Sequence, residues 1–246
     1  MREANEIDRL LIRRRPAGWP VMRQWWGKLL FMHWAIDASL LRPLIPKRLT
    51  LDTFDGKAWI GVVPFTMWGI RPSFAPPFPG LNAFHELNVR TYVHYDGVPG
   101  VWFFSLDANN APAVWAARNF LALPYFNARI TLEQQDNAIS YSSTRTHKDA
   151  APAKFEATWN IGESLEESAP DSLTFFLTER YCLYAERKEK LCRLRIFHPP
   201  WPLRQASLSS SHTTMVEALG LPTPEGEPLL HYAEELKVDI WPLVKL

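Results

Sequence analysis

The sequence predicts an α+β fold, mostly antiparallel β, closed as a β-barrel or sandwich around a central cavity with a few peripheral helices. Three observations predict it. Short alternating or apolar runs are separated by Asp-Gly and similar turn residues at hairpin spacing. Proline is abundant, 21 of 246 residues against 11 glycines, and proline breaks helix interiors. The 11 tryptophans and 47% hydrophobic content supply a large aromatic interior.

The elements follow in order. Asp37 can N-cap a helix over 38–44 that stops before Pro46. Residues 49–54 and 57–65 flank Asp55-Gly56, which tolerates the positive φ of a tight hairpin turn. Residues 86–95 and 101–107 flank a second turn at 96–100. The alanine-rich 112–121 has helical spacing. Residues 128–135 and 139–146 form a third pair around Asp136-Asn137, and 154–161 is a further strand. Asp171 can cap a short helix over 172–178. Residues 181–185 and 191–197 form a fourth hairpin. A loop centred on Arg187 would set Cys182 opposite Cys192, as two reduced packing cysteines. Residues 211–219 read as a helix ending at Gly220 with Pro222 beyond, and 237–241 returns to alternation. The proline-rich 72–79 reads as a loop over a cavity mouth. No linker divides the chain, so one domain spans 1–246, with 1–20 as an N-terminal extension.

Composition excludes several functions. Lys+Arg is 27 and Asp+Glu is 26, a net charge of +1, so no broad basic field points to nucleic acid. Arg13-Arg14-Arg15 reads as a solvated charge run. Two cysteines give no disulfide framework. No signal-peptide apolar region follows the N-terminal arginines, and the longest uncharged runs are too short for a membrane helix. The expectation is a cytoplasmic protein with no membrane partner. No phosphate-cradling glycine loop, nucleophile elbow or zinc-ligand spacing occurs, so neither a metal nor another cofactor is expected.

The most informative segment is 84–93, FHELNVRTYV. Period-2 alternation puts Leu87, Val89, Thr91 and Val93 on one face and Glu86, Asn88, Arg90 and Tyr92 on the other. Such a polar face meets either water or a polar cavity. The neighbouring VWFFSLD (101–107) is apolar on both faces until Ser105 and Asp107. That favours burial and a cavity in which Arg90 holds a carboxylate and Glu86 acts as partner or base. Arg118 and Asn119 interrupt an apolar helical segment just before the chain turns at Pro124 into Tyr125. Arg118 either snorkels to the surface or reaches the cavity. Tyr125 can donate a hydrogen bond beside a cation. Glu179 and Arg180 interrupt another apolar run, and Arg180 either reaches the cavity or forms a structural ion pair. His33 and His198, the latter in HPPWP, read as packed histidines.

These residues resemble the acetoacetate-decarboxylase-like superfamily, in which a Y-N-E strand precedes a G-R-E…G-F-P-K segment whose lysine forms a Schiff base. The chain is more closely similar to the YqjF-like family of bacterial proteins within that superfamily. The segments carrying the likeness are LLFMHW (29–34), LDTFDGKAWIGVVPF (51–65), ELNVRTYV (86–93), GVWFFSLDA (100–108), ARNFLALPY (117–125), FLTERYCLY (176–184) and HPPWPL (198–203). The resemblance implies an acetoacetate-decarboxylase-like domain with Glu86 and Arg118 at its pocket. Tyr125 stands after the proline where the pattern has its lysine, and Asn119 stands where it has a glutamate. A phenol cannot form an imine, and amine catalysis requires an activated amine. Lys57 and Lys154 read as surface residues and do not substitute.

The expected catalytic residues are therefore Glu86 and Tyr125. The expected ligand-binding residues are Asn88, Arg90, Arg118, Asp107 and Arg180. The expected partner is a small molecule, anionic where Arg90 or Arg118 holds it, bound by an enzyme-like protein. The alternatives are a ligand-sensing or carrier module, or a structural protein with a filled interior. Homo-oligomerisation stays open.

Overall fold

Alternation along a few long strands sets the architecture. The structure is a computed structural model that describes residues 7–77, 80 and 83–246. Pro79 and the first six residues of the expected N-terminal extension lie outside the described residues. In chain order the strands are β1 (Met22–Ile36), β2 (Thr50–Leu51), β3 (Ala58–Pro72), β4 (Ala83–Tyr95), β5 (Val98–Ala108), β6 (Tyr125–Gln135) and β7 (Ala138–Arg145). They continue as β8 (Lys154–Ser164), β9 (Cys182–Arg187), β10 (Lys190–Phe197), β11 (Leu203–Thr213), β12 (Leu229–Ile240) and β13 (Val244–Lys245). Three short α-helices accompany them: α1 (Ala38–Leu41), α2 (Ala111–Ala116) and α3 (Leu173–Thr178).

The strands pair in the order β13-β10-β9-β5-β6-β7-β8-β11-β12-β1-β3-β4-β2, with further pairing of β4 to β5 and of β10 to β12. The sheet therefore wraps back on itself twice. It is mixed, because β5 runs parallel to both β6 and β9. The shared stretch β12-β1-β3-β4 becomes a wall between two cores. Leu30, Met32, Val62, Leu87 and Val89 point to one core, with Tyr141, Phe155 and Trp159. Leu29, Phe31, Val63 and Phe65 point to the other, with Leu194, Ile196 and Trp201. A period of two, read along a wall buried on both sides, sends alternate residues to different interiors.

The turns follow from residue chemistry. Asp55-Gly56 and Asp96-Gly97 both carry positive φ, 48° and 74° in the first and 49° and 71° in the second, as two-residue hairpins require. The first hairpin pairs less than its sequence suggests. Only the bridge between Phe54 and Lys57 belongs to it. β2 instead pairs with β4, Thr50 opposite His94, because β4 extends past the end of β3.

Helices are shorter than the sequence suggests. α1 gives way to a 3-10 turn at Arg42–Leu44, and Asp37 caps it by accepting from the Ser39 amide at 2.7 Å. Ser172, not Asp171, caps α3, accepting from Phe175 N at 3.2 Å. The helix expected over 211–219 is corrected. β11 runs through Thr213, leaving a 3-10 turn at Glu217–Leu219. Ser211 and Thr213 find ladder partners in Ala157 and Phe155, and pairing overrides local propensity. The fourth hairpin turns at Lys188-Glu189, with φ of 50° and 60°. That register sets Cys192 opposite Ala185 and Cys182 opposite Arg195. The two thiols are therefore not facing, and both are free and buried.

Arg14 and Arg15 of the arginine run are exposed, as expected, but the run also makes contacts with the sheet. Arg13 pairs with Glu167 at 2.9 Å and Arg15 with Asp239 at 2.7 Å. Each guanidinium also lies over an aromatic ring, Phe175 for Arg13 and Trp241 for Arg15. Arg9 reaches further, to the fully buried Asp52 at 2.6 Å. The segment before β1 is thus strapped onto the sheet by alternating cations. Among the described residues, no helix is long and apolar enough to cross a membrane.

Asp52 sits between two cations, since Arg180 also pairs with it at 2.7 Å. The Arg180 side chain is 4% exposed and that of Arg9 22%. Removing the partner of a buried charge is far costlier than removing a half-exposed one. Asp52→Asn should cost about 3–5 kcal/mol in urea denaturation. Arg9→Ala should cost about 1 kcal/mol or less. Equal costs would mean that Arg180 is not held by Asp52.

Candidate functional site

On the second-core side of the shared wall lies a cavity of about 480 Å³. β4 supplies its polar wall: Glu86, Asn88 and Arg90 all line it, with Phe84 at one end of the row. The opposite face of β4 carries Leu87 and Val89 into the filled core. Glu86 and Asn88 are 2% and 4% exposed, so the polar face meets the cavity and not bulk water. β5 contributes Phe103 and Leu106. These have opposite parity, and the pairing shifts between Val89/Ser105 and Arg90/Phe103. That bulge lets one strand present both residues to the same interior.

Glu86 is the best-connected acid in the cavity. Its Oε2 accepts a hydrogen bond from the Tyr125 hydroxyl at 2.5 Å. Its backbone carbonyl accepts from Tyr141 at 2.9 Å. Burial pushes the carboxyl up to about 8; the Tyr125 hydroxyl and the Asn88 side chain oppose the rise, and Asp107 adds to it. Near neutral pH Glu86 is therefore mostly protonated, with a proton it can give. Burial and the neighbouring carboxyl hold the Tyr125 phenol well above its ordinary value, so it acts as a donor and not as a phenolate. Tyr125 is placed by the end of the α2 segment. The chain passes through a π-helical turn, Ala117–Leu121, and then Ala122 at φ 54° before β6 begins.

Arg90 lies along the same row. Its guanidinium stands over Phe31 at 5.3 Å and Tyr92 at 5.9 Å. Its Nε and Nη2 are buried without a hydrogen-bond partner, and among the described residues no carboxylate lies within ion-pair distance of it. Gly61, the register partner of Arg90 on β3, makes room for the neighbouring His33. A Cβ there would come 2.9 Å from the His33 ring. His33 Nε2 lies 2.6 Å from the Tyr92 hydroxyl, and burial, with Arg90 nearby, holds this histidine well below its ordinary value. It remains neutral beside the arginine.

The other expected site residues lie elsewhere. Asp107 is bound through both oxygens by Arg145, at 2.8 and 2.7 Å. Arg180 pairs with Asp52, donates to the Phe176 carbonyl at 2.6 Å and stacks on Phe176 at 4.3 Å. Arg118 is exposed and donates to the Tyr125 carbonyl at 2.6 Å. None of the three lines the cavity. Their charges answer local needs: two buried carboxylates require cations, and one strand end requires a donor. No lysine is among the described residues lining the cavity, and Lys57 and Lys154 are exposed. No cluster of three metal-ligating side chains occurs among the described residues.

Sequence reasoning missed several lining residues. Gln24 and Trp26 of β1 line the cavity, as does Trp201. Trp201 stacks on Trp26 with ring centroids 6.3 Å apart. The signal for Gln24 in the sequence is weak, since Arg23, Lys28 and His33 also interrupt its strand. Nothing local announces Trp201, which reaches the cavity only through the return of the chain after β10.

The comparisons fit this geometry. Residues 23–237 match the family DUF2071, described as an uncharacterized conserved protein. The uncharacterized protein YqjF of Bacillus subtilis (strain 168) is 45% identical over 230 residues, 94% of each chain. Among solved structures, an acetoacetate decarboxylase-like enzyme from Sphingomonas wittichii RW1 superposes with a TM-score of 0.61 at 11% identity, over 92% of this chain and 93% of that one. The enduracididine biosynthesis enzyme MppR complexed with pyruvate superposes with a TM-score of 0.62 at 10% identity, over 94% and 93%. At such identities the structural likeness speaks for the fold alone, an acetoacetate-decarboxylase-like one. The sequence match, which runs through nearly all the strands of both cores, says more: the chain belongs to the DUF2071 family, that of YqjF.

Proposed function

We propose that this is a small-molecule-binding, enzyme-like protein whose cavity takes a small carboxylate or oxo compound. The observation that carries the reading is the pairing of two complementary groups on one buried strand face. Arg90 offers its Nε and Nη2 hydrogens, which have no hydrogen-bond partner. Four residues along β4, Glu86 offers a carboxyl pushed up to about 8 by burial. A buried cation lacking an anion is costly unless a ligand supplies one. A protonated carboxyl in the same cavity can donate to a carbonyl oxygen as negative charge develops there, while Tyr125 stabilises the carboxylate left behind. Asp107, Arg118 and Arg180 enter this reading as positioning residues: Arg118 holds the backbone of Tyr125, and the other two anchor the strands around it.

Schiff-base decarboxylation is not part of the reading, because Tyr125 occupies the lysine position of the resemblance and the described lining holds no amine. That a structural neighbour is complexed with pyruvate supports a carboxylate ligand. We place the activity in the cytoplasm, in keeping with two free thiols.

Three outcomes test this. In thermal-shift titrations with short oxo acids, the intact protein should gain stability by mass action. Arg90→Ala and Glu86→Gln should lose at least tenfold in affinity, and Lys57→Ala should lose none; equal effects in all three would remove the site. Borohydride reduction in the presence of acetoacetate should leave the protein mass unchanged, and a stable adduct on any lysine would refute the absence of imine chemistry. The third outcome concerns pH. Glu86 binds its proton more tightly in the folded than in the unfolded state, so its contribution to stability is complete below about 4.5 and is lost as pH rises towards about 8. Glu86→Gln should flatten the fall in stability across that window in denaturation series, and an unchanged slope would contradict a neutral, buried Glu86.

A further inference from the structure

Glu86, Asn88 and Arg90 form one polar row in the cavity, joined by Tyr125, by Gln24 of β1 and by Arg71 of β3, and most of the remaining lining is aliphatic or aromatic. Along β4 the row runs Phe84, Glu86, Asn88, Arg90, a span of roughly 20 Å at the usual rise of a strand. The register partners on β3 become larger and apolar away from Arg90: Gly61 faces Arg90, Val63 faces Asn88, Phe65 faces Glu86 and Met67 faces Phe84. From the other walls come Leu194, Ile196 and Ile240. A three-carbon oxo acid bound at Arg90 would leave most of about 480 Å³ unfilled, and a cavity of that size is typical of much larger, largely apolar ligands.

The helix that borders the cavity reinforces the point. Ala113, Ala116 and Ala117 all line it, at the i, i+3, i+4 spacing of a single helix face. Three small side chains there leave space that leucines would fill. The rim combines exposed apolar side chains with Arg71. Val21 and Phe120 line the cavity and are 44% and 61% exposed, which marks the mouth. Val21 accepts a hydrogen bond from Ser73 N at 3.1 Å, and the adjoining Phe74 is 89% exposed.

We infer that the ligand is an amphipathic carboxylate with a medium-length alkyl or aryl-alkyl body, its carboxylate on Arg90 and its tail running along β3 and β4 past the alanine face of α2 towards Phe120. This rests on the proposal that Arg90 holds a carboxylate, and goes beyond it by assigning the rest of the molecule. The functional group that meets Glu86 and Tyr125 would then lie a few bonds along the body, where those residues reach the cavity between Arg90 and Phe84. The ligand class expected is an acyl or aryl-alkyl acid carrying an oxygen at that position, bound more tightly than a short keto acid that fills only the Arg90 end.

Affinities of butanoate, hexanoate and octanoate, measured by calorimetry beside pyruvate, acetoacetate and octan-1-ol, test the assignment. Each added methylene should tighten binding roughly three- to fourfold, and octanoate should exceed octan-1-ol by at least tenfold, an advantage lost in Arg90→Ala. Ala116→Leu, which leaves Arg90 and Glu86 untouched, should weaken octanoate at least tenfold while butanoate is unchanged; it serves also if Arg90→Ala fails to fold. If pyruvate and acetoacetate bind and chain length brings no gain, the tail assignment is overturned while the carboxylate site stands. If octan-1-ol binds as well as octanoate, the carboxylate reading itself falls. If no probe binds, both fall.

Discussion

Burial of β4 on both faces is the constraint on which the rest depends. A strand in a shared wall has no solvent side, so every polar side chain on it must find a partner within the protein or face an internal cavity. Glu86 finds Tyr125, and Asn88 sits beside it. Arg90 has only aromatic faces and a cavity. The apolar neighbours Leu87 and Val89 are in the other core and cannot relieve it. The sheet wraps twice because β4 pairs with β5 and β10 pairs with β12, and that double wrapping makes the wall internal. The candidate site is thus a consequence of topology acting on one alternating segment.

The remaining buried charges show how the same fold disposes of ions that do not face the cavity. Asp52 lies between Arg180 and Arg9, Asp107 is gripped by Arg145, and Arg13 and Arg15 hold the leading segment to the sheet. Each has a carboxylate, an aromatic face or both. Against that background Arg90 stands apart in lining the cavity while its Nε and Nη2 are buried without a hydrogen-bond partner. The contrast separates arginines that organise the scaffold from Arg90, which lines the cavity.

Fold and chemistry also separate here. The neighbours at 10–11% identity share the wrapped sheet, and the family match extends over most of the chain. Yet no lysine is among the described residues lining this cavity, and Tyr125 is bonded there to a buried carboxyl. A scaffold can keep a cavity between strands while the groups at its wall change the reaction class. Where an amine would form a covalent intermediate, a Glu-Tyr pair offers proton transfer and hydrogen bonding.

Much of this was legible in the sequence. The α+β class, the Asp-Gly turns and the two faces of 84–93 follow from local rules, because turn chemistry and period-2 patterning act over a few residues. Glu86, Asn88 and Arg90 stood out as a polar row beside a doubly apolar strand. Which medium that row faces depended on strands more than a hundred residues away closing over it. Tertiary structure also decided that Arg180 and Asp107 serve Asp52 and Arg145, that β11 overrides a helix signal, and that Gln24 and Trp201 complete the cavity. Alternation names the two faces of a strand; only the closure of the sheet determines what each face meets, because burial is a property of the whole chain and not of the segment.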